Sequence, residues 1–242
     1  MEIGLTLNQA LLASLVITLA ATVQGVIGYG VGVFGVPLLY LIYPDFVPAP
    51  MIVIGMLLPV LILRRDYRAV DKQDLLWAYP GMATGIIAAG IIVDYISQQL
   101  LGILLSSLVY AGVALGLVRK ARSPSRATIS FAAALSGLMG TITAIGGPPL
   151  SLAFRKLHGP RLTGTLSAIF VPAGVLAITV LALTNHFGWH DLLLASLLTP
   201  GMLVGYWLSG ALNQRLSPAI LKPLVLTVSL LAASLILLRS LA

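Results

Sequence analysis

The chain contains no cysteine, three histidines and only 7 acidic residues in 242 positions. Without thiols it can carry neither a disulfide framework nor a thiolate metal site. The histidines, His158, His186 and His190, flank predicted loops, so neither a metal nor any other cofactor is expected. Charge of either sign is scarce: charged residues are 9% of the chain, where a soluble domain carries about 25%. What fills the space is apolar. Hydrophobic residues reach 59% and the mean hydropathy is +1.04, which places the chain in a bilayer.

The net charge of +7 comes from 14 Lys and Arg. They sit in short loops between apolar runs, where membrane topology accounts for them and a nucleic-acid partner is not expected. The opening residues MEIGLTLNQ carry Glu2 and no Lys or Arg, so the N-terminal segment reads as structure and not as a signal peptide. Apolar runs cover Leu5 to Val23, Val31 to Ile42, Val47 to Leu63, Leu75 to Val93, Leu100 to Val118, Ile129 to Ile145, Leu162 to Leu183, Leu192 to Leu212 and Ala219 to Leu238. Val31 to Ile42 is too short to cross a hydrocarbon core, and Pro148 and Pro149 interrupt the run that continues to Phe154.

The short and the broken run fall at matching places in an internal duplication. With an offset of 112, Gly25, Gly28, Gly35, Pro37 and Leu38 meet Gly137, Gly140, Gly147, Pro149 and Leu150. Further on, Pro80, Gly81, Met82, Gly85 and Gly90 meet Pro200, Gly201, Met202, Gly205 and Gly210 at an offset of 120. Ordered coincidences of this kind mark a repeat. Residues 1–122 and 123–242 are therefore read as two halves of one integral membrane domain.

The repeat also sorts the motifs crowded into QGVIGYGVGVFGVP, residues 24–37. Its GYG does not recur, because Tyr29 and Gly30 face Thr141 and Ile142, and a potassium filter needs four equivalent loops. Its GxGxxG lacks the strand, helix and downstream acid of a dinucleotide fingerprint. What recurs is Gly, Gly, Gly, Pro, residues that interrupt a helix at Gly35 and Pro37 in one copy and at Pro148 and Pro149 in the other. Irregular backbone at membrane depth must be buried in protein or line a watery cavity.

Loop charges give the topology. Lys and Arg cluster at 64–72, 119–126, 155–161 and 215–222, and are missing from the turns near Asp45, Asp94 and 185–191. If the clusters mark the cytoplasmic side, each half is a broken-helix hairpin followed by three transmembrane helices, an odd number of crossings. The expected fold is an all-α polytopic membrane protein of two inverted repeats in the cell (inner) membrane, with both termini outside. Arg64 and Arg155 are expected to snorkel, and Trp77, Trp189 and Trp207 to anchor the interfaces.

Inverted repeats with broken helices meeting near the midplane are the build of secondary transporters. No acidic residue falls inside an apolar run, which favours an anionic or neutral solute over a cation. The candidate substrate-binding residues are Gln24, Gly25, Gly28, Tyr29, Ser136, Gly137, Gly140, Thr141, Thr143, Gly146 and Gly147, offering backbone N–H, hydroxyl and amide groups to an anion. The spans hold no Cys, His or carboxylate to activate a nucleophile, so an enzyme is not expected.

QGVIGYGVGVFGVPLL and SGLMGTITAIGGPPLSL resemble the two signature segments of the sulfite exporter TauE/SafE family, also called the toluenesulfonate uptake permease family, and the likeness runs over essentially the whole chain. The first copy departs from the second in reading FGVP where the second has GGPP. The resemblance implies a multi-pass membrane transporter of small sulfur-containing anions such as sulfite, sulfoacetate or other organosulfonates. An anion channel on the same architecture is the alternative. Expected partners are a small anion, membrane lipid and, admissibly, a second copy in a homodimer.

Overall fold

The computed structural model describes residues 4–28, 30–117, 125–212 and 218–241. Among them every regular element is helical. The candidate residue Tyr29, the basic residues Arg119, Lys120, Arg122 and Arg215, and the side chain of Lys222 lie outside the described part.

The first half opens with α1 (Leu7–Ile27). Thr6 and Gln9 form a reciprocal capping box at its start, satisfying two donors that a helix N-terminus leaves open. Along α1, Leu7, Leu11, Leu15 and Leu19 form one exposed stripe while Ala13, Ile17, Ala20 and Ala21 are fully buried. This is membrane-protein logic: bulky side chains face lipid and small ones let helices approach. α1 ends at Gly28, which is left-handed with φ of 84°, a conformation glycine adopts without a Cβ clash. The chain then turns back as a π-helical turn, Val31–Gly35, leading into α2 (Val36–Ile42). Gln9 Nε2 donates to the Ile42 carbonyl at 3.1 Å, so the end of α2 lies beside the start of α1.

Three helices follow: α3 (Ala49–Asp66), α4 (Leu75–Ile92) and α5 (Gln98–Leu117). The second half repeats the order with α6 (Arg126–Thr143), the short α7 (Gly147–Ala153), α8 (Pro160–Leu183), α9 (Trp189–Leu212) and α10 (Pro218–Leu241). Seven residues rise only about 10 Å, so α7 returns part of the way through a core of about 30 Å. Among the described residues five stretches are long and apolar enough to cross a membrane: Leu7–Ile27, Leu75–Tyr95, Pro160–Leu183, Trp189–Ala211 and Pro223–Leu241. The chain is an all-helical polytopic membrane protein, as its sequence predicts.

The halves interlock by exchanging helices. α1 runs alongside and in the same direction as α9: Thr18 Oγ1 donates to Gly201 O at 3.1 Å and, one turn on, Thr22 Oγ1 to Gly205 O at 3.2 Å. α4 runs the same way as α6, with Gly81 against the Ser130 carbonyl and Gly85 against that of Ala134. The first two glycines of each PGMxxGxxxxG, Gly81 and Gly85 and again Gly201 and Gly205, thus lie where the other half's first helix crosses, and a Cβ on any of the four would overlap a backbone carbonyl, whereas one on Gly90 would meet the Val180 side chain and one on Gly210 nothing within 4 Å. α4 also runs with α8, through Tyr79 to Ala168 O and Gly90 against Val180. α3 runs with α9, from Asp45 beside His190 to Leu61 O beneath the Tyr206 hydroxyl. α3 and α8 are opposed, Met56 meeting Gly174 and Asp66 meeting Thr163. So are α5 and α10, with Gln99 bonded to Ser240 O and Ser106 to Ala233 O.

The Lys/Arg-poor turns gather at one end, where Arg239 is an exception, lining a surface pocket with Tyr40, Pro44 and Gln98. His186 pairs with Asp94 at 3.6 Å and His190 with Asp45 at 3.9 Å, which brings the three Lys/Arg-poor turns together. At the other end Arg161 pairs with Asp71 at 2.9 Å and Arg65 with Asp66 at 2.8 Å. Although His186 and His190 stand four residues apart, each faces a different carboxylate, and among the described residues no metal-binding cluster forms.

Candidate functional site

The two interruptions meet inside the protein. A Cβ on Gly32 would sit 2.9 Å from the carbonyl oxygen of Ala144 and 3.3 Å from the Cα of Ile145, so backbone touches backbone across the two turns. Beside this contact lies a cavity of about 100 Å³, several times the 10–15 Å³ or so that one water needs on a comparable measure. Gln24, Ser136, Gly137, Gly140, Thr141, Gly146 and Gly147 line it, all of them residues singled out from sequence.

Each side chain has a distinct task. Gln24, 6% exposed, accepts the Val31 N–H on Oε1 at 3.0 Å, which leaves its Nε2 without a hydrogen bond among the described residues. Ser136 donates its hydroxyl to the Gly146 carbonyl, pinning the second turn against α6 where Gly140 and Gly146 approach to van der Waals contact. Thr141 is 1% exposed, lines the cavity, and its hydroxyl has no hydrogen-bond partner among the described residues. Buried polar groups are nearly always paired, because an unpaired one costs about 1–3 kcal/mol. Thr141 therefore presents a buried hydroxyl to the cavity wall.

Other candidates hold the frame. The Gly25 carbonyl accepts Arg65 Nη2 at 3.1 Å, and its Cα faces Ser209 too closely for a Cβ. Gly28 packs on Thr163 and Leu166. Thr143 donates to Met139 O at 2.8 Å and accepts the Ile145 N–H at 3.2 Å, stitching the break at its own end. None of these three lines the cavity.

The interruptions also lie upstream of the residues expected to cause them. α geometry fails at Gly28 in one copy and at Ala144, left-handed with φ of 58°, in the other. Gly35 closes the π-helical turn, Pro37 is the second residue of α2, and Pro148 and Pro149 fall in the first turn of α7. Prolines suit that position because its N–H groups have no intrahelical partner. By the same token they remove donors that an anion was expected to find.

The rest of the cavity is apolar. Met51, Ile52, Met82, Ile86 and Phe170 form its wall, with Gly55 opening onto it, a position where an added Cβ would meet nothing within 4 Å. Sequence reading passed over these residues because, in a bilayer protein, a side chain facing a cavity and one facing lipid look alike. No charged side chain lines the cavity among the described residues. Beside the first turn Arg65 donates Nε and Nη2 to Asp66 at 2.9 and 2.8 Å, Thr163 donates to the same carboxylate, and Arg65 reaches Gly25 O, while its Nη1 is buried without a hydrogen-bond partner among the described residues. Asp66 belongs to α3 and is buried, at 7% exposure.

A family profile described as Sulfite exporter TauE/SafE matches residues 13–236. The chain belongs to that family. The TauE/SafE match takes in both interruptions and every cavity residue. Membership implies a membrane transporter of sulfur-containing anions. No curated protein matches the chain, and no solved structure does.

Proposed function

We propose that this TauE/SafE protein is a secondary transporter of small sulfur-containing anions, built as two inverted repeats that move by alternating access. The observation that carries the reading is the unpartnered Thr141 hydroxyl in a cavity where two interrupted helices meet. Discontinuous helices converging on a central site recur in secondary transporters, and an unpaired donor in an uncharged cavity suits a solute that brings its own acceptor oxygens. The helix directions support the repeat. α1, α3 and α9 share one direction and α4, α6 and α8 the other, so each helix whose direction is fixed opposes its counterpart in the second half.

In this reading the Arg65, Asp71 and Arg161 end is cytoplasmic and the Asp45, Asp94 and His186 end external. A chain without cysteine lends itself to the test: Arg68→Cys should react with a membrane-impermeant maleimide only after permeabilisation, and Asp94→Cys without it. Reconstituted into liposomes, the protein should exchange labelled sulfite or a sulfonate with saturation and counterflow. Absence of flux for every sulfur oxyanion from correctly inserted protein would overturn the reading. Unitary currents without saturable exchange would make it a channel.

A further inference from the structure

We propose that the cavity selects its solute by charge class, taking singly charged sulfonates with a short apolar tail and rejecting dianions, with Thr141 and Gln24 as the donors to the sulfonate oxygens. This rests on the transporter reading and deepens it. The first ground is what the lining supplies: two neutral donors, one hydroxyl with no partner and one amide nitrogen left over from the Val31 contact. The second is what it does not supply. Among the described lining residues there is no Lys, Arg or His, and the guanidinium of Arg65, outside that lining, has its charge matched by the Asp66 carboxylate and reaches the Gly25 carbonyl, with only Nη1 left unpartnered.

Bringing an ion out of water is costly unless charge and hydrogen bonds replace its hydration, and the cost rises steeply with charge. A sulfonate spreads one charge over three oxygens and can be met by neutral donors. A sulfate or a disulfonate carries twice the charge into the same uncharged wall. The apolar side of the cavity, formed by Met51, Ile52, Met82, Ile86 and Phe170, then rewards carbon on the solute, at about fourfold in affinity per buried methylene.

The test is competition against labelled methanesulfonate in proteoliposomes at one pH and ionic strength, with ligand-induced thermal stabilisation of the solubilised protein as a second readout. Ethanesulfonate should compete about fourfold better than methanesulfonate. Sulfate and ethane-1,2-disulfonate should compete at least about tenfold worse than ethanesulfonate. Thr141→Val should weaken ethanesulfonate about tenfold, as expected for losing a hydrogen bond to a charged group, with Thr141→Ser restoring it. Because the native hydroxyl is unpaired, Thr141→Val should not lower the melting temperature of the ligand-free protein.

Sulfate or the disulfonate competing as well as ethanesulfonate overturns the charge-class inference while the transporter reading stands. Unchanged ethanesulfonate affinity in Thr141→Val overturns the donor assignment. If neither sulfite nor any of these anions is bound or moved, the transporter reading itself fails and the inference with it.

Discussion

Position 24 in the first half and position 136 in the second correspond at the offset of 112, and both side chains reach across their own turn with opposite hydrogen-bond polarity. Gln24 accepts from the Val31 N–H; Ser136 donates to the Gly146 carbonyl. The turns themselves differ. The first leaves its helix through a left-handed glycine and re-enters by a π-helical turn, whereas the second leaves through a left-handed alanine and re-enters directly at Gly147. The two turns share the place of the interruption and differ in its chemistry. Gln24 thereby retains a free amide for the cavity, while the second half contributes Thr141.

The largest expected effect comes from separating the turns. In Gly32→Ala the new methyl would lie 2.9 Å from the Ala144 carbonyl oxygen, a distance that backbone cannot absorb in place. Anion flux should be lost while membrane insertion, measured by fractionation, remains at the wild-type level. Full flux would show that the two turns need not touch.

Next is the anchor beneath the first turn. Asp66→Asn leaves Arg65, tied to the Gly25 carbonyl, without its carboxylate partner, and hydrogen bonds to charged groups are worth about 1.5–3 kcal/mol. A loss of that order in detergent stability is expected, together with weaker transport. Arg65→Lys should recover little, since an ammonium lacks the fork that bridges the Asp66 carboxylate and Gly25 together.

The paired residues should then separate by size of effect. Gln24→Ala strands the N–H of Val31, a residue that is 2% exposed, at a cost of about 1–3 kcal/mol. Ser136→Ala frees the carbonyl of Gly146, which borders the cavity and can be rehydrated, so about 1 kcal/mol or less is expected. Chemical denaturation of the two variants in one detergent compares them directly. Equal losses would mean that the turns are equivalently buried.

How far these differences were legible in sequence depends on what each residue type is forced to do. Gly81, Gly85, Gly201 and Gly205 stood out in sequence as a recurring pattern, and the structure adds that they are close crossing points, which favour small residues. Loop charges likewise foretold that the turns near Asp45, Asp94 and 185–191 gather at one end, as the Asp45–His190 and Asp94–His186 pairs bear out. Arg65 did not: an arginine at a helix end ordinarily extends toward headgroups, and only a three-dimensional neighbour, the Gly25 carbonyl forty residues back, draws it inward. Nor could the π-helical turn be foreseen, since Val31–Gly35 reads as a small-residue helix. The cavity wall was silent for a different reason. Met82 or Phe170 gains as much apolar contact from lipid as from a binding site, so hydrophobicity carries no information on which it faces.

The last comparison sets the two left-handed residues against each other, with effects that should differ in sign between the turns. Gly28 at φ of 84° has no Cβ to strain, so Gly28→Ala should destabilise by about 1–2 kcal/mol; the added methyl would also meet Thr163 Cγ2 at 3.4 Å, an ordinary contact that adds little. Ala144 at φ of 58° already bears that strain. Ala144→Gly removes it but gives the unfolded chain more freedom, a term of about 0.4–1 kcal/mol in the other direction. The balance is a net gain of a few tenths to about 1 kcal/mol. Melting curves in detergent should therefore move down for one variant and up for the other. If Ala144→Gly instead lowers stability, Thr143 must be holding the second turn through its bonds to Met139 and Ile145 so firmly that alanine's stiffness is needed, and the two turns would then differ in rigidity as well as in hydrogen-bond polarity.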